Sequence, residues 1–300
     1  MQHSANWAEL LEPGLNDIYR TSGEKMPDYL ATLFSVKSSK KSAEHSLGRG
    51  GIGMMKEWGS TGNQVSYDEI AKGFKVDWTH KKYSNGLQIE RELWDDDQFD
   101  EIQSQTDDLA FSVWYTRQYH AASVFNNAFN GTFAGADGKA LCADDHPVVP
   151  GSAVVIDNYD TLPLNADNVE GVRNKMKMWT DDRGNLIPVR PDTLIVPPNL
   201  RKAALVIVDS DKEPDTANNN VNVWKGSLKV IEWDFLTDTN DWFMVDSARM
   251  KRYLLWWDRR IPKLEKDGPN FDTEVAKWKV VGRWSYGWKS PTFVFGNKVA

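Results

Sequence analysis

One stretch limits the possible architectures more than any other: DDDQFDEIQSQTDDLAFSVWYTRQYHAASVFNNAFNG, residues 95–131. Phe99, Ile102, Thr106, Leu109, Val113, Ala121, Val124 and Ala128 recur in it at helical spacing. Asp95, Asp96 and Asp97 suit the positive N-terminal end of a helix and Gly131 suits its stop. The spacing predicts a helix over about 97–130, roughly 50 Å long at about 1.5 Å per residue. Compact domains seldom hold a helix of that length. The reading is therefore a spine crossing an elongated body, with more than one region packed on it.

The sequence before the spine looks different. A helical pattern through Trp7, Leu10, Leu11, Leu15, Ile18 and Tyr19 is interrupted at Pro13-Gly14. TSGEKMPDYL and FSVKSSKKSAEH then read as an extended arm with little core signal. LGRGGIGMMKEWGSTGNQV follows, rich in glycines that weaken regular structure. The spacing of Gly51 and Gly53 invites a phosphate-loop reading, but no buried strand precedes it and no Gly-Lys-Ser/Thr follows. A long, mobile hairpin leading into β-like Tyr67, Ile70, Phe74, Val76, Trp78 and Tyr83 is the expectation.

After the spine, helices and strands alternate. Asn165 or Asp167 can cap a helix carrying Val169, Val172, Met176 and Trp179. DTLIVPP reads as a buried strand, and NLRKAALVIV as a helix capped by Asn199. A polar loop, DSDKEPDTANNN, leads to the β-rich runs SLKVIEWDF, DWFMVDSA and RYLLWWDRR. This order implies a mixed α/β region around a central sheet. The closing FDTEVAKWKVVGRWSYGWKSPTFVFGNKVA is a pair of strands broken at Gly287 to Pro291, expected to return to a sheet near the spine. In the first, Val275, Lys277, Lys279 and Val281 share one face, and Ala276, Trp278 and Val280 the other.

Bulk properties exclude several functions. A formal net charge of -7 opposes tight non-specific nucleic-acid binding, which depends on Lys and Arg contacts to phosphate. No apolar run approaches a membrane span, and MQHSANWAELLEPGL lacks a signal-peptide core. A single cysteine forms no intrachain disulfide, so the fold does not depend on oxidation. Fourteen tryptophans are read as core or subunit-interface anchors rather than ligand platforms.

DGKALCADDHP, residues 137–147, gathers Cys142, Asp144, Asp145 and His146 within five positions. A zinc site needs three or four converging ligands, and no C-x-x-C or H-x-x-x-H partner occurs elsewhere. Cysteine chemistry would require His146 or His120 to approach Cys142 with a third group orienting it. The plainer reading is architectural. Asp137-Gly138 makes a tight turn, Leu141 anchors, Asp144 or Asp145 bonds backbone N–H groups, and Pro147 holds His146 extended. His120, beside the apolar stripe, is read as a core or interface hydrogen-bond partner. The carboxylates of ELWDDDQFDE could form an acid–base pair but more simply complement a helix start. KSSKK, Lys37 to Lys41, reads as a solvated tail, with DNA, scaffold or an acidic neighbour as the other options. No residue is assigned a catalytic, cofactor-binding or metal-ligating role.

The order of segments resembles the Hong Kong 97-type major capsid fold of tailed bacteriophages, and within it the Mu-like major head subunit family. DGKALCADDHP is similar to that family's sequence after the long helix, with Cys142 where an aromatic is commoner. PDTLIVPPNLRKAA is similar to its Pro-Pro signature, and VNVWKGSLKVIEWDFL with DWFMVD to two of its strands. The resemblance covers about residues 60–285. It implies an α+β shell subunit with an N-terminal arm (1–45) and an extended β-hairpin loop (46–80). It further implies a peripheral domain holding the spine (81–150 and 256–300) and an α/β axial domain (151–255). The implied function is a major capsid protein self-assembling into an icosahedral shell around phage DNA. Its partners would be its own copies in pentamers and hexamers, a scaffold and head protease, a portal, and packaged double-stranded DNA held without sequence specificity. It would be found in the virion, after assembly in the host cytoplasm and without a membrane. Arm, hairpin and tryptophan-rich strands would then gain their burial from neighbouring copies. Some members of the fold cross-link lysine to asparagine; Lys56 and Asn297 lie in the right segments, but no cross-link is expected from the residues themselves. An encapsulin-like compartment shell, and a metal-assisted hydrolase centred on Asp144, Asp145 and His146, are the alternative functions.

Overall fold

The apolar runs segregate into two five-stranded sheets in the computed structural model, which describes residues 7–58, 65, 67–96, 99–212, 221–267 and 274–299. The chain starts with α1 (Trp7–Lys25), α2 (Tyr29–Leu33) and β1 (Ser35–Ser38). A hairpin of β2 (Ala43–Arg49) and β3 (Lys72–Thr79) leads through β4 (Lys81–Glu90) and α3 (Arg91–Asp95) to the long α4 (Phe99–Asn126). The short β5 (His146–Pro147), β6 (Val155–Ile156) and β7 (Tyr159–Asp160) precede α5 (Ala166–Lys177), β8 (Thr193–Val196) and α6 (Arg201–Asp209). Then come β9 (Lys229–Glu232), β10 (Trp242–Val245), α7 (Ser247–Tyr253), β11 (Leu254–Arg260), β12 (Leu264–Asp267), β13 (Val275–Trp288) and β14 (Val294–Asn297).

β13 is the axis of the first sheet. It pairs with β4 along one edge, from Val275↔Glu90 to Trp284↔Lys81. Along the other it pairs with β12 and then β11, and β1 joins β11 in parallel. Ala276, Trp278 and Val280 face the core while Lys277 and Lys279 face solvent, as period-two alternation requires. The second sheet runs β7-β14-β10-β8-β9. β8 is buried at all four positions because both faces are covered. Ile195, Phe243 and Val294 meet α4 on one side, and Leu194, Trp242, Met244 and Phe295 meet α5 and α6 on the other.

α4 joins these layers. Ile102 of its first half packs with Leu11, Leu15, Ile89, Ala276 and Trp278. Ala121, Val124 and Phe125 of its second half lie in the core between the sheets. Its 28 residues span about 42 Å. It stops at Asn126, earlier than the expected 130, because Ala128 and the following turns fold in to meet Cys142, whose N–H donates to Ala128 O at 2.8 Å. Asp97 and Gln98, at the expected start, lie outside the described residues, as do parts of the glycine-rich stretch (59–64 and 66), of the polar loop (213–220) and of the closing segment (271–273).

Five expectations change. Residues before 45 are not an extended arm without core signal: α1 packs on α4, and Leu30, Leu33 and Phe34 are fully buried. The helix runs straight through Pro13. Burial of Leu11 and Leu15 on either side, worth about 1.5–3 kcal/mol each, offsets the roughly 3 kcal/mol a helical proline costs. The closing strands part company: β13 stays in the first sheet, and the turn at Pro291 sends β14 into the second. Asn199 does not cap α6; it lies in a 3-10 turn from Pro198 to Leu200, and Leu200 occupies the cap with no side-chain bond. The two prolines fix that entry and carry no N–H to satisfy. Asn165 does cap α5, accepting from Asn168 N–H at 2.8 Å. Finally, the tryptophans of the strands find cover within the chain: Trp242, Trp256 and Trp278 are completely buried, as is Trp233, whereas Trp58 on the hairpin is exposed.

Candidate assembly surfaces

DGKALCADDHP folds as a braced connection. Gly138 adopts φ +77°, which favours glycine, and the turn closes through Gly138 N–H to Gly135 O at 3.1 Å. Asp137, rather than Asp144 or Asp145, supplies the carboxylate that matters. It accepts from Lys139 N–H at 3.2 Å and pairs with His146 Nδ1 at 2.6 Å. Asp144 and Asp145 are exposed, the latter paired with the Lys139 ammonium. Asp137 was legible as half of a turn dipeptide; its long reach to His146 was not.

Cys142 is buried against Gly296 and Phe129, and burial pushes its thiol well above the ordinary range. A buried neutral thiol is a poor nucleophile. No hydrogen bond joins Cys142 to His146 or His120 among the described residues, and none of their His, Cys, Asp and Glu side chains group to hold a metal ion. Asn158 fastens the segment, donating to Leu141 O and Val294 O at 2.9 and 3.1 Å and accepting from Ala143 N–H at 2.8 Å. No motif announced that residue. His120 accepts from Trp284 Nε1–H at 3.2 Å and lies against Tyr83 and Tyr286. Burial, then Lys81, lowers its pKa. It is the hydrogen-bond partner the spacing suggested.

The hairpin is the second surface. β2 and β3 pair from Ala43↔Thr79 to Arg49↔Lys72 with an irregularity near Gly48, where the backbones approach closely. A Cβ on Gly73 would lie 2.5 Å from the Gly48 carbonyl carbon. At its root, Val76 and Trp78 pack on Leu255 and Trp257. There His80 is buried between Ser285 Oγ at 2.9 Å and Ser39 Oγ at 3.2 Å, and the Ser39 hydroxyl donates to Glu44 at 2.7 Å. Because Ser39 gives its proton to Glu44, His80 donates through Nε2 and accepts through Nδ1. Burial, then Arg283, lowers the His80 pKa.

The glycines at the tip serve close approach, not phosphate. Gly51 N–H donates to Asp182 at 2.6 Å, and a methyl group at Gly51 would collide with the Asp181 carboxylate. Arg183 reaches back to Asp68 at 3.4 Å and to Glu69 O at 2.5 Å. Beyond these polar contacts, several apolar side chains among the described residues of the tip are open. Ile52, Met54, Met55, Val65 and Tyr67 are exposed, Met54 at 81% and Met55 at 100%. A patch of this kind is the mark of an interaction surface. By contrast, KSSKK is no tail: Lys37 belongs to β1, Ser39 is buried, and Lys41 pairs with Glu44. Lys56 is exposed on the hairpin beside Asp68, whereas Asn297 is fully buried in β14.

A spine helix shared by two cores, two mixed sheets and a projecting hairpin define the Hong Kong 97-type capsid fold. Solved structures share it at low identity. A chain of the bacteriophage JBD30 procapsid is 12% identical with a TM-score of 0.56, over 98% of this chain and 76% of that one. A chain of the empty GTA particle capsid is 11% identical with a TM-score of 0.56, over 92% and 91%. A chain of the bacteriophage PhiM1 mature capsid is 11% identical with a TM-score of 0.58, over 92% and 88%. No curated protein sequence matches the chain. Residues 74–297 match the family described as phage capsid protein, and the chain belongs to that family. It is a major capsid protein, a structural component of the virion that self-assembles into an icosahedral shell. The compartment-shell and hydrolase alternatives are not favoured.

Proposed function

We propose that the chain assembles as pentamers and hexamers, with a scaffold, head protease and portal, into a shell around double-stranded phage DNA. Residues 1–45 act as the N-terminal segment, 46–80 as the loop that overlaps a neighbour, and 81–150 with 256–290 as the peripheral domain. Residues 151–255, joined by β14, act as the axial domain. Repeated heterologous contacts continue until rotation closes the shell. Helix and hairpin tilting together between two packings would carry the change from a rounded to an angular particle.

The observation that carries this reading is the hairpin tip, where Ile52, Met54, Met55 and Tyr67 are exposed on a segment tied to its own body mainly by polar bonds. Electron microscopy of the purified chain, alone or with its scaffold, should show shells or their pentamers and hexamers. Met54→Ser with Met55→Ser should cut the assembled fraction while leaving subunit stability within about 0.5 kcal/mol. A chain that stays monomeric at high concentration with its scaffold present would end the proposal.

A further inference from the structure

Four cations from four segments of the chain lie around one end of the first sheet. Lys37 on β1 stands opposite Trp257 of β11, its ammonium 5.3 Å from the indole centroid. Lys289 follows β13 and donates its backbone N–H to Tyr253 O at 2.8 Å. Next to Tyr253, Arg252 of α7 lies with its guanidinium 5.4 Å from the phenol ring centroid. Arg49 is exposed at the outer end of β2, opposite Lys72, on the hairpin whose root packs on Trp257 through Trp78. Lys37, Arg49 and Arg252 are exposed and Lys289 is half-buried. Burial, then the charges of Arg252, Lys37 and Arg49, pushes the Lys289 pKa down. No carboxylate among the described residues makes an ion pair with any of the four. Like charges held together in this way destabilise the isolated subunit, and a counter-charge from outside removes that cost.

The same chain carries such a counter-charge elsewhere. Glu90, Glu92, Asp96, Asp100 and Asp108, around α3 and the start of α4, are exposed and make no ion pair among the described residues. We infer that the Lys37–Arg49–Arg252–Lys289 cluster of one copy docks on this acidic face of a neighbouring copy. The inference rests on the shell reading, in which copies meet through unlike patches. A nucleic-acid occupant fits less well. A duplex carries a phosphate charge about every 1.7 Å and needs an extended basic row, whereas this cluster is compact on a chain of net charge -7.

Charge reversal tests it. Arg252→Glu with Lys289→Glu, or Glu92→Lys with Asp96→Lys, should each lower the assembled fraction at least about tenfold at low salt. All four changes in one chain should restore assembly. The gentler Arg252→Gln with Lys289→Gln should flatten the salt dependence of assembly, which guards against loss by misfolding. The inference is overturned by normal assembly of either reversed chain, by no recovery in the fourfold variant when its subunit melts like wild type, or by an unchanged salt dependence in the glutamine variant. It is also overturned if the Arg252/Lys289 reversal leaves assembly intact but releases nuclease-protected DNA. A wild-type chain that forms no particle would remove the shell reading as well.

Discussion

The crossing of α4 with the first sheet and the tip of the β2–β3 hairpin are built on opposite principles. At the crossing, Arg117 makes two hydrogen bonds to Asp258, at 2.9 and 3.0 Å, with its guanidinium against both Trp256 and Trp284. Trp256 Nε1–H adds a third bond to the same carboxylate at 3.0 Å. At the tip, backbone and polar side chains hold a loop whose apolar groups face outward. The first arrangement pairs its charged groups inside one subunit. The second leaves its apolar surface for another molecule. Stability of the subunit therefore resides in the crossing, and association at the tip, so the two are separable by mutation.

The largest expected effect is at the crossing. Asp258→Ala leaves Arg117 enclosed without its partner and should cost about 3–5 kcal/mol, measured by chemical denaturation of dissociated subunits. A loss under about 1 kcal/mol would mean that water already screens the pair. Next comes Leu33→Ala, expected to cost about 2–5 kcal/mol because Leu33 is fully buried. A surface tail would lose no more than about 0.5 kcal/mol, so this measurement decides whether the N-terminal segment belongs with the crossing or with the tip.

Gly51→Ala should cost about 1–3 kcal/mol by forcing the tip off Asp181 and Asp182, and should speed exchange of the residue-51 amide while leaving β2–β3 pairing protected. Unaltered exchange would show that the tip is held by other contacts. The smallest effect is a pH dependence at the hairpin root. The His80 pKa is depressed below its ordinary 6.5, so the unfolded chain binds a proton before the folded one does. Stability should be full above pH 6.5 and decline as pH falls from there toward the depressed folded value. His80→Gln should flatten that decline in a melting-temperature series. Equal slopes in the two proteins would assign it to His120 or to carboxylates.

How much was legible follows from the range of each interaction. The 3.6-residue repeat of Ile102, Thr106 and Leu109 marked the spine, and the alternation of Ala276, Trp278 and Val280 marked the inward face of β13. Both are local, periodic signals. Leu30, Leu33 and Phe34 were read as an arm because three apolar residues beside Pro27 and a lysine-rich run carry no periodicity. Their burial depends on α4 and α7, far away in sequence. The Asp137–His146 pair, the Asn158 brace and the cationic cluster are likewise assembled from separate segments.

By itself, the sequence determined the helix, the strands with their inward faces and the glycine-rich hairpin, because each is written in neighbouring residues. Only the tertiary structure decided that the N-terminal segment lies in the core and that β13 and β14 part into different sheets. It alone left the hairpin tip uncovered while the tryptophan-rich strands were covered. The physical reason is that burial belongs to the packed whole: a side chain's exposure is set by what folds over it, and pattern within one segment carries no record of that.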